Sequence, residues 1–229
     1  MAETDFTDRI LSSYTSSDFK KSLVHSLHLL ESDTENSFAK QYYVLSLLKL
    51  TSDTQSLLDI LLSTLDSNPN PDAYMSVGIL YLQLNQPTDA LQYLLKAKDS
   101  HVLHYQGINY HIGFAYLMLN DIDNAEIFFY KAIDFEPNNL KIYQALFSVV
   151  RFYSEKLQKF LKFLQQRAER SVDVEFLLFT AKTFVQNSLF TEAINYAKKT
   201  SEYKPSFDSY YTIAYSYFKL NQIESAVEY

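Results

Sequence analysis

The chain has no cysteine, no tryptophan, three glycines and five prolines in 229 residues. Without cysteine there is no disulfide framework, no thiolate zinc site and no cysteine nucleophile. All-β folds need turn-makers at short, regular intervals, and doubly wound α/β folds need glycine where strands turn into helices. Three glycines are too few for either, and an all-α fold is expected. Lysine and arginine are also in deficit, 20 against 27 aspartates and glutamates, for a net charge of −7. Phosphate neutralisation supplies most nucleic-acid affinity, so nucleic acid and anionic membrane surfaces are excluded as expected partners.

Long hydrophobic runs are missing too. The richest stretches, 42–50 and 108–119, are interrupted by polar residues well short of the roughly 20 apolar residues that a membrane span needs, so no membrane insertion is expected. The first eight residues, Met1 to Asp8, are acidic and polar, unlike a secretory signal. Asn-x-Ser/Thr is absent. A cytoplasmic or nuclear location is the expectation.

What the chain does have is an internal repeat. Tyr74, Val77, Gly78 and Tyr81 are followed by Asn85, Ala90, Leu94 and Ala97. The set returns as Asn109, Ile112, Gly113, Tyr116, Asn120, Ala125, Phe129, Ala132 and Pro137. A third copy reads Leu177, Thr180, Ala181, Phe184, Asn187, Ala193, Ala197, Thr200 and Pro205, and a fourth Tyr210, Ile213, Ala214, Tyr217, Asn221 and Ala226. In all four the first small residue precedes the second by 12 positions (78 to 90, 113 to 125, 181 to 193, 214 to 226).

This pattern resembles the tetratricopeptide repeat, a helix-turn-helix unit of about 34 residues. The resemblance implies an all-α, right-handed α-solenoid superhelix of helix pairs A and B. Small residues would let the antiparallel helices of each pair approach to about 8–10 Å. Asn85, Asn120 and Asn221 fall seven residues after the small position, where helix A must end, and suit a left-handed terminator. The repeats are expected at 71–105, 106–139, 140–173, 174–206 and, in part, 207–229, as one continuous solenoid with a degenerate N-terminal region at 1–70.

The 140–173 unit is itself degenerate, with Phe147 and Lys159 at the crossing positions. Helices are expected near 139–153 and 155–169 there, crossing more widely than the rest. In 1–70 helices are expected at 4–14, 18–31, 36–50 and 54–66, the second with an apolar stripe of Phe19, Leu23, Leu27 and Leu30. About thirteen helices result. The sequence stops a few residues into a B helix after apolar Ile213, Tyr217 and Phe218, which suggests a fragment or an end covered by a partner.

No phosphate-binding, dinucleotide, metalloprotease or serine-hydrolase motif is present, and no catalytic residue is assigned. His25 with His28 and His101 with His104 lack a third ligand, and His111 stands alone. No metal or cofactor is expected. Asp121 and Asp123 read as capping residues of an inter-helix turn.

The resemblance implies that binding takes place on the concave face formed by the A helices. In the family's register that face presents Asp72, Met75, Ile79 and Leu82, then Gly107, Tyr110, Phe114 and Leu117. It continues with Lys141, Gln144, Ser148 and Arg151, then Glu175, Leu178, Lys182 and Val185, and ends with Asp208, Tyr211, Tyr215 and Phe218. The candidate partner-binding residues are Met75, Ile79, Tyr110, Phe114, Lys141, Gln144, Arg151, Leu178, Lys182, Tyr211 and Tyr215. Family members that grip chaperone tails use a two-carboxylate clamp. The matching positions here are Met75, Ile79, His111, Lys141 and Ala145, of which Lys141 alone fits, so Hsp70 and Hsp90 tails are disfavoured.

An apolar, aromatic groove suits a peptide or amphipathic helix of a protein partner. A tightly wound superhelix would instead make the same residues core. The expected function is a non-enzymatic scaffold or adaptor in a larger intracellular complex. The alternative is a self-associating homo-oligomer, a structural subunit of a ubiquitin-ligase, vesicle-coat or transport assembly.

Overall fold

A computed structural model describes residues 2–34, 36–48, 50, 54–65, 71–99 and 107–229. Among these residues the chain is all-α, with fourteen helices and no strand. It divides into two compact units, Met1–Glu136 and Pro137–Tyr229.

The first unit holds α1 (Ala2–Thr15), α2 (Phe19–Ser32), α3 (Ser37–Leu48), α4 (Thr54–Leu65), α5 (Pro71–Gln83), α6 (Pro87–Asp99), α7 (Ile108–Met118) and α8 (Ile122–Phe135). Each helix packs on the next, most closely in the pairs α5 with α6 and α7 with α8. Gly78 is why α5 and α6 approach so closely. A Cβ there would stand 2.6 Å from Leu94 Cγ and 3.1 Å from the Ala90 carbonyl oxygen. At Gly113 a Cβ would meet the Phe129 ring at 3.0 Å.

The α1–α2 pair corrects the expected stripe on α2. Leu27 is exposed, and the buried face is Ser22, Ser26 and Leu29. Ser22 Oγ donates to the Ile10 carbonyl across the pair at 3.3 Å, and Ser26 Oγ donates to the Ser22 carbonyl at 2.8 Å. Serine therefore fills the crossing where the later repeats use glycine or alanine, with its hydroxyl satisfied by backbone.

The second unit holds α9 (Leu140–Val150), α10 (Ser154–Arg170), α11 (Val174–Gln186), α12 (Phe190–Tyr203), α13 (Phe207–Lys219) and α14 (Ile223–Val227). Its core includes Ile142, Tyr143, Leu146, Phe160, Leu164, Leu177, Ala181, Phe184, Ala193, Ala197 and Ile213. The degenerate pair α9–α10 approaches less closely than α11–α12. Aromatic rings fill the space: Phe147 stacks on Phe160 at 5.9 Å and Tyr143 on Phe163 at 6.3 Å.

One device closes five helices. Ser17, Asn85, Asn120, Ser188 and Asn221 all have φ between 58° and 63°. In each case the next residue's N–H reaches back five positions, as Gln86 to Tyr81 O (2.8 Å), Asp121 to Tyr116 O (2.9 Å) and Leu189 to Phe184 O (2.9 Å). This is the Schellman arrangement, which satisfies carbonyls that would otherwise be orphaned at the helix end. In the third repeat the left-handed residue is Ser188, seven after Ala181, and the adjacent Asn187 keeps a negative φ of −105°.

Candidate functional site

In the first unit the A-helix face is carried by α5 and α7, which touch along part of their length. Met75 and Ile79 are half-buried. Met75 packs at the edge of a core that includes Leu82, Ala90, Leu94 and Ile112. Leu82 is 8% exposed and belongs to that core, which removes it from the expected stripe. Tyr110 and Phe114 stack at 6.4 Å with 19° between their planes, and Tyr110 also leans on Phe129 at 5.9 Å. Phe129 is fully buried, so Tyr110 is anchored and Phe114, at 38% exposure, is the presented ring. The side chain of Asp72 lies outside the described residues, as do His101 and His104.

In the second unit Lys141, Gln144 and Arg151 are exposed on α9 and its end. The Arg151 guanidinium lies 4.5 Å over the ring of Phe152, which is itself 74% exposed. On α11 Leu178 is half-buried and Lys182 exposed. Lys182 Nζ bridges to Asp208 Oδ2 on α13 at 2.7 Å, joining two A helices by a solvent-facing pair. Such a pair is worth at most about 1 kcal/mol and serves mainly to set where the two chains lie.

The most developed surface is on α13. Phe207, Tyr211 and Tyr215 follow one another at i, i+4 and i+8, so they stand on one face. Their rings stack at 6.0 Å and 6.0 Å, with interplanar angles of 21° and 20°. Lys219, one further turn on, places its ammonium 5.4 Å over Tyr215. Phe207 is 81% exposed and Tyr211 58%. Sequence reasoning selected Tyr211 and Tyr215 and passed over Phe207, although the four-residue period points to it.

None of the eleven candidate side chains is buried. Met75, Ile79, Tyr110 and Phe114 share one unit, and Lys141, Gln144, Arg151, Leu178, Lys182, Tyr211 and Tyr215 the other. The surfaces are apolar rings and aliphatic chains with scattered ammonium and guanidinium groups, suited to burying a partner's side chains. Among the described residues no group of three His, Asp or Glu could hold a metal ion. His28 Nδ1 lies 3.3 Å from Glu31 Oε2, one turn along the same helix. Asp121 caps α8, accepting from the Asn124 N–H at 3.1 Å and from its side-chain amide at 2.7 Å. No helix among the described residues is long and apolar enough to cross a membrane.

The sequence profile of the tetratricopeptide repeat matches residues 107–139 and 207–229. No curated protein matches the sequence. Among solved structures, the chain is similar to pilF of Pseudomonas aeruginosa, with a TM-score of 0.63 and 14% identity over 91% of this chain and 95% of that one. It is similar to MamA, with a TM-score of 0.57 and 15% identity over 90% and 97%. It is also similar to a chain of the Cut9–Hcn1 hetero-tetramer of the APC/C, with a TM-score of 0.60 and 12% identity over 93% of this chain and 42% of that one. Profile, helix pairing and shared fold agree: the chain carries the tetratricopeptide repeat over those two segments and folds as helix pairs of the tetratricopeptide kind.

Proposed function

We propose that the chain is a non-enzymatic scaffold that holds a peptide or helix of a protein partner against the apolar faces of its A helices, as a subunit of a larger complex. The observation that carries this reading is the ladder of Phe207, Tyr211 and Tyr215, stacked in the open rather than folded into the core. Exposed aromatic rings with few rotatable bonds lose little entropy on binding and bury much area, which is how interface anchors work. Stacking holds the rings in place before any partner arrives. Tyr110 and Phe114 offer a smaller surface of the same kind on α7. Two proteins of similar fold were solved in complexes, Cut9 with Hcn1 and Naa15/Naa10 bound to HypK.

The test is purification from cell extract with wild type and Tyr211→Ser/Tyr215→Ser side by side, followed by binding of the recovered partner to both purified proteins. Loss of the partner with unchanged helical content supports the reading. Equal recovery by both proteins, or a collapse of helicity in the variant, overturns it.

A second reading is self-association. Phe218, Ile223 and Val227 are 58%, 49% and 81% exposed around α13 and α14, and α14 buries no residue of its own. Light scattering across a dilution series decides it, since a monomer at high concentration removes the reading.

A further inference from the structure

The charge of this acidic chain is unevenly spread. Met1–Glu136 holds 8 lysines and arginines against 18 aspartates and glutamates, whereas Pro137–Tyr229 holds 12 against 9, for net charges of −10 and +3. The excess is concentrated on α10, where Lys156, Lys159, Lys162, Arg167 and Arg170 face only Glu155 and Glu169. This is the helix of the degenerate repeat.

A cleft of about 690 Å³ opens beside the C-terminal half of α10, walled by Phe163 and Phe176 and edged by Arg167 and Arg170. Arg167 rests between two rings, its guanidinium 5.8 Å from the centre of Tyr143 and 5.7 Å from that of Phe163. Among the described residues its one hydrogen bond is a long one, 3.5 Å to the Pro137 carbonyl, so most of its five donors have no protein partner there. Arg170 is exposed and has no hydrogen bond or ion pair to the described residues.

Two carboxylates stand on the rim. That of Asp173 is engaged, accepting from the N–H groups of Glu175 (2.9 Å) and Phe176 (3.1 Å) as the cap of α11. Glu169 is the other. The negative end of α10 is already covered, because Lys199 Nζ donates to the carbonyls of Ala168 (2.9 Å) and Glu169 (3.1 Å). The two guanidinium groups are therefore not spent on the helix end.

We infer that this cleft docks an acidic peptide segment of a protein partner, its carboxylates on Arg170 and Arg167 and a neighbouring aromatic side chain against Phe163 and Phe176. Guanidinium forks match carboxylates in two parallel hydrogen bonds, and Arg167 already stands against two rings at the edge of the cleft. Phe163, with the edge of Phe176, offers a peptide side chain a contact that a bare anion cannot use. The cleft is edged by two guanidinium groups, enough for the carboxylates of a short peptide and too few for the run of phosphates from which a nucleic acid draws its affinity, so a peptide suits the site better. The cleft involves none of the A-helix residues assigned above.

The test is fluorescence anisotropy of the full chain with a short labelled peptide of Asp and Glu carrying one central Phe. Saturable binding is expected, weakening as salt rises. Arg170→Glu lowers the affinity roughly tenfold or more. Lys20→Glu, the same charge change on α2, leaves it unchanged. Replacing the peptide's Phe by Ala weakens it several-fold. Arg170→Gln, checked for native helicity by circular dichroism, stands in if Arg170→Glu fails to fold. No saturable binding, equal losses in the α10 and α2 variants, or equal binding of single-stranded DNA overturns the inference. So does a wild-type chain that ignores the peptide but dimerises through Arg170, since the occupant is then a second copy.

Discussion

Leu94 Cγ lies 2.6 Å from the point where a side chain at Gly78 would begin, with the Ala90 carbonyl oxygen 3.1 Å away. Gly78→Ala gains about 1 kcal/mol of helix propensity but forces Leu94 to move, an overpacking cost of about 1–3 kcal/mol. A net loss of about 1 kcal/mol is expected in urea denaturation. Leu94→Ala alone costs about 2–5 kcal/mol, since Leu94 is fully buried. The double variant loses less than the sum, by about 1 kcal/mol, because each change relieves the other. Gly113→Ala meets a ring that can tilt, and stays within about 1 kcal/mol of wild type.

Left-handed backbone costs a residue with a Cβ about 1–2 kcal/mol, least for asparagine. Ser188, at φ 61°, carries that cost without asparagine's local hydrogen bonding. Ser188→Gly therefore raises stability by about 0.5–1 kcal/mol, and Asn120→Val lowers it by about 1–2 kcal/mol. Thermal melts followed by circular dichroism check both.

The Asn124 side-chain amide, and then its backbone N–H, hold the Asp121 carboxyl below its ordinary value. Lys21 does the same for Asp18, chiefly through its side chain. A lowered carboxyl stabilises the fold fully above the ordinary carboxylate range and ceases to do so as pH falls through the folded-state value. The deficit in melting temperature of Asp121→Ala against wild type is therefore present at neutral pH and closes in strong acid. Lys198 behaves oppositely. Its hydrogen bond to the Tyr217 hydroxyl, 2.7 Å long, raises it above the ordinary lysine value, so its contribution is present at neutral pH and disappears only in strong alkali.

Phe160 is fully buried and stacked on Phe147, where other repeats bring two backbones together. Phe160→Ala empties the degenerate pair's filling and costs about 3–5 kcal/mol. Phe152, 74% exposed two residues before α10, is expected to change stability by less than about 0.5 kcal/mol on conversion to Ser. Denaturation of the two variants separates packing from mere aromaticity.

The helix pairs with glycine or alanine at their crossings were legible because the spacing of small residues repeats. The left-handed positions could be read wherever asparagine marked them. Ser17 and Ser188 take the same conformation without that marker, because tertiary packing imposes the turn on the residue that happens to be there. Ser22 and Ser26 were hidden for a related reason: serine reads as a polar surface residue until its hydroxyl is seen bonded to backbone. Leu82 stood on the expected face in register, yet it turns into the core beside Ala90 and Leu94. The cleft at α10 had no motif to announce it, since Pro137, the α10 pair Phe163 and Arg167, and Phe176 come from three separate segments of the sequence.

The α13 ladder also gives the protein an optical handle. With 19 tyrosines and no tryptophan, its ultraviolet emission is tyrosine emission alone. Tyr211 and Tyr215, 6.0 Å apart, are close enough to pass excitation between them. A tryptophan brought against that helix by a bound peptide would drain the excitation and emit at longer wavelength, reporting its own arrival without a label.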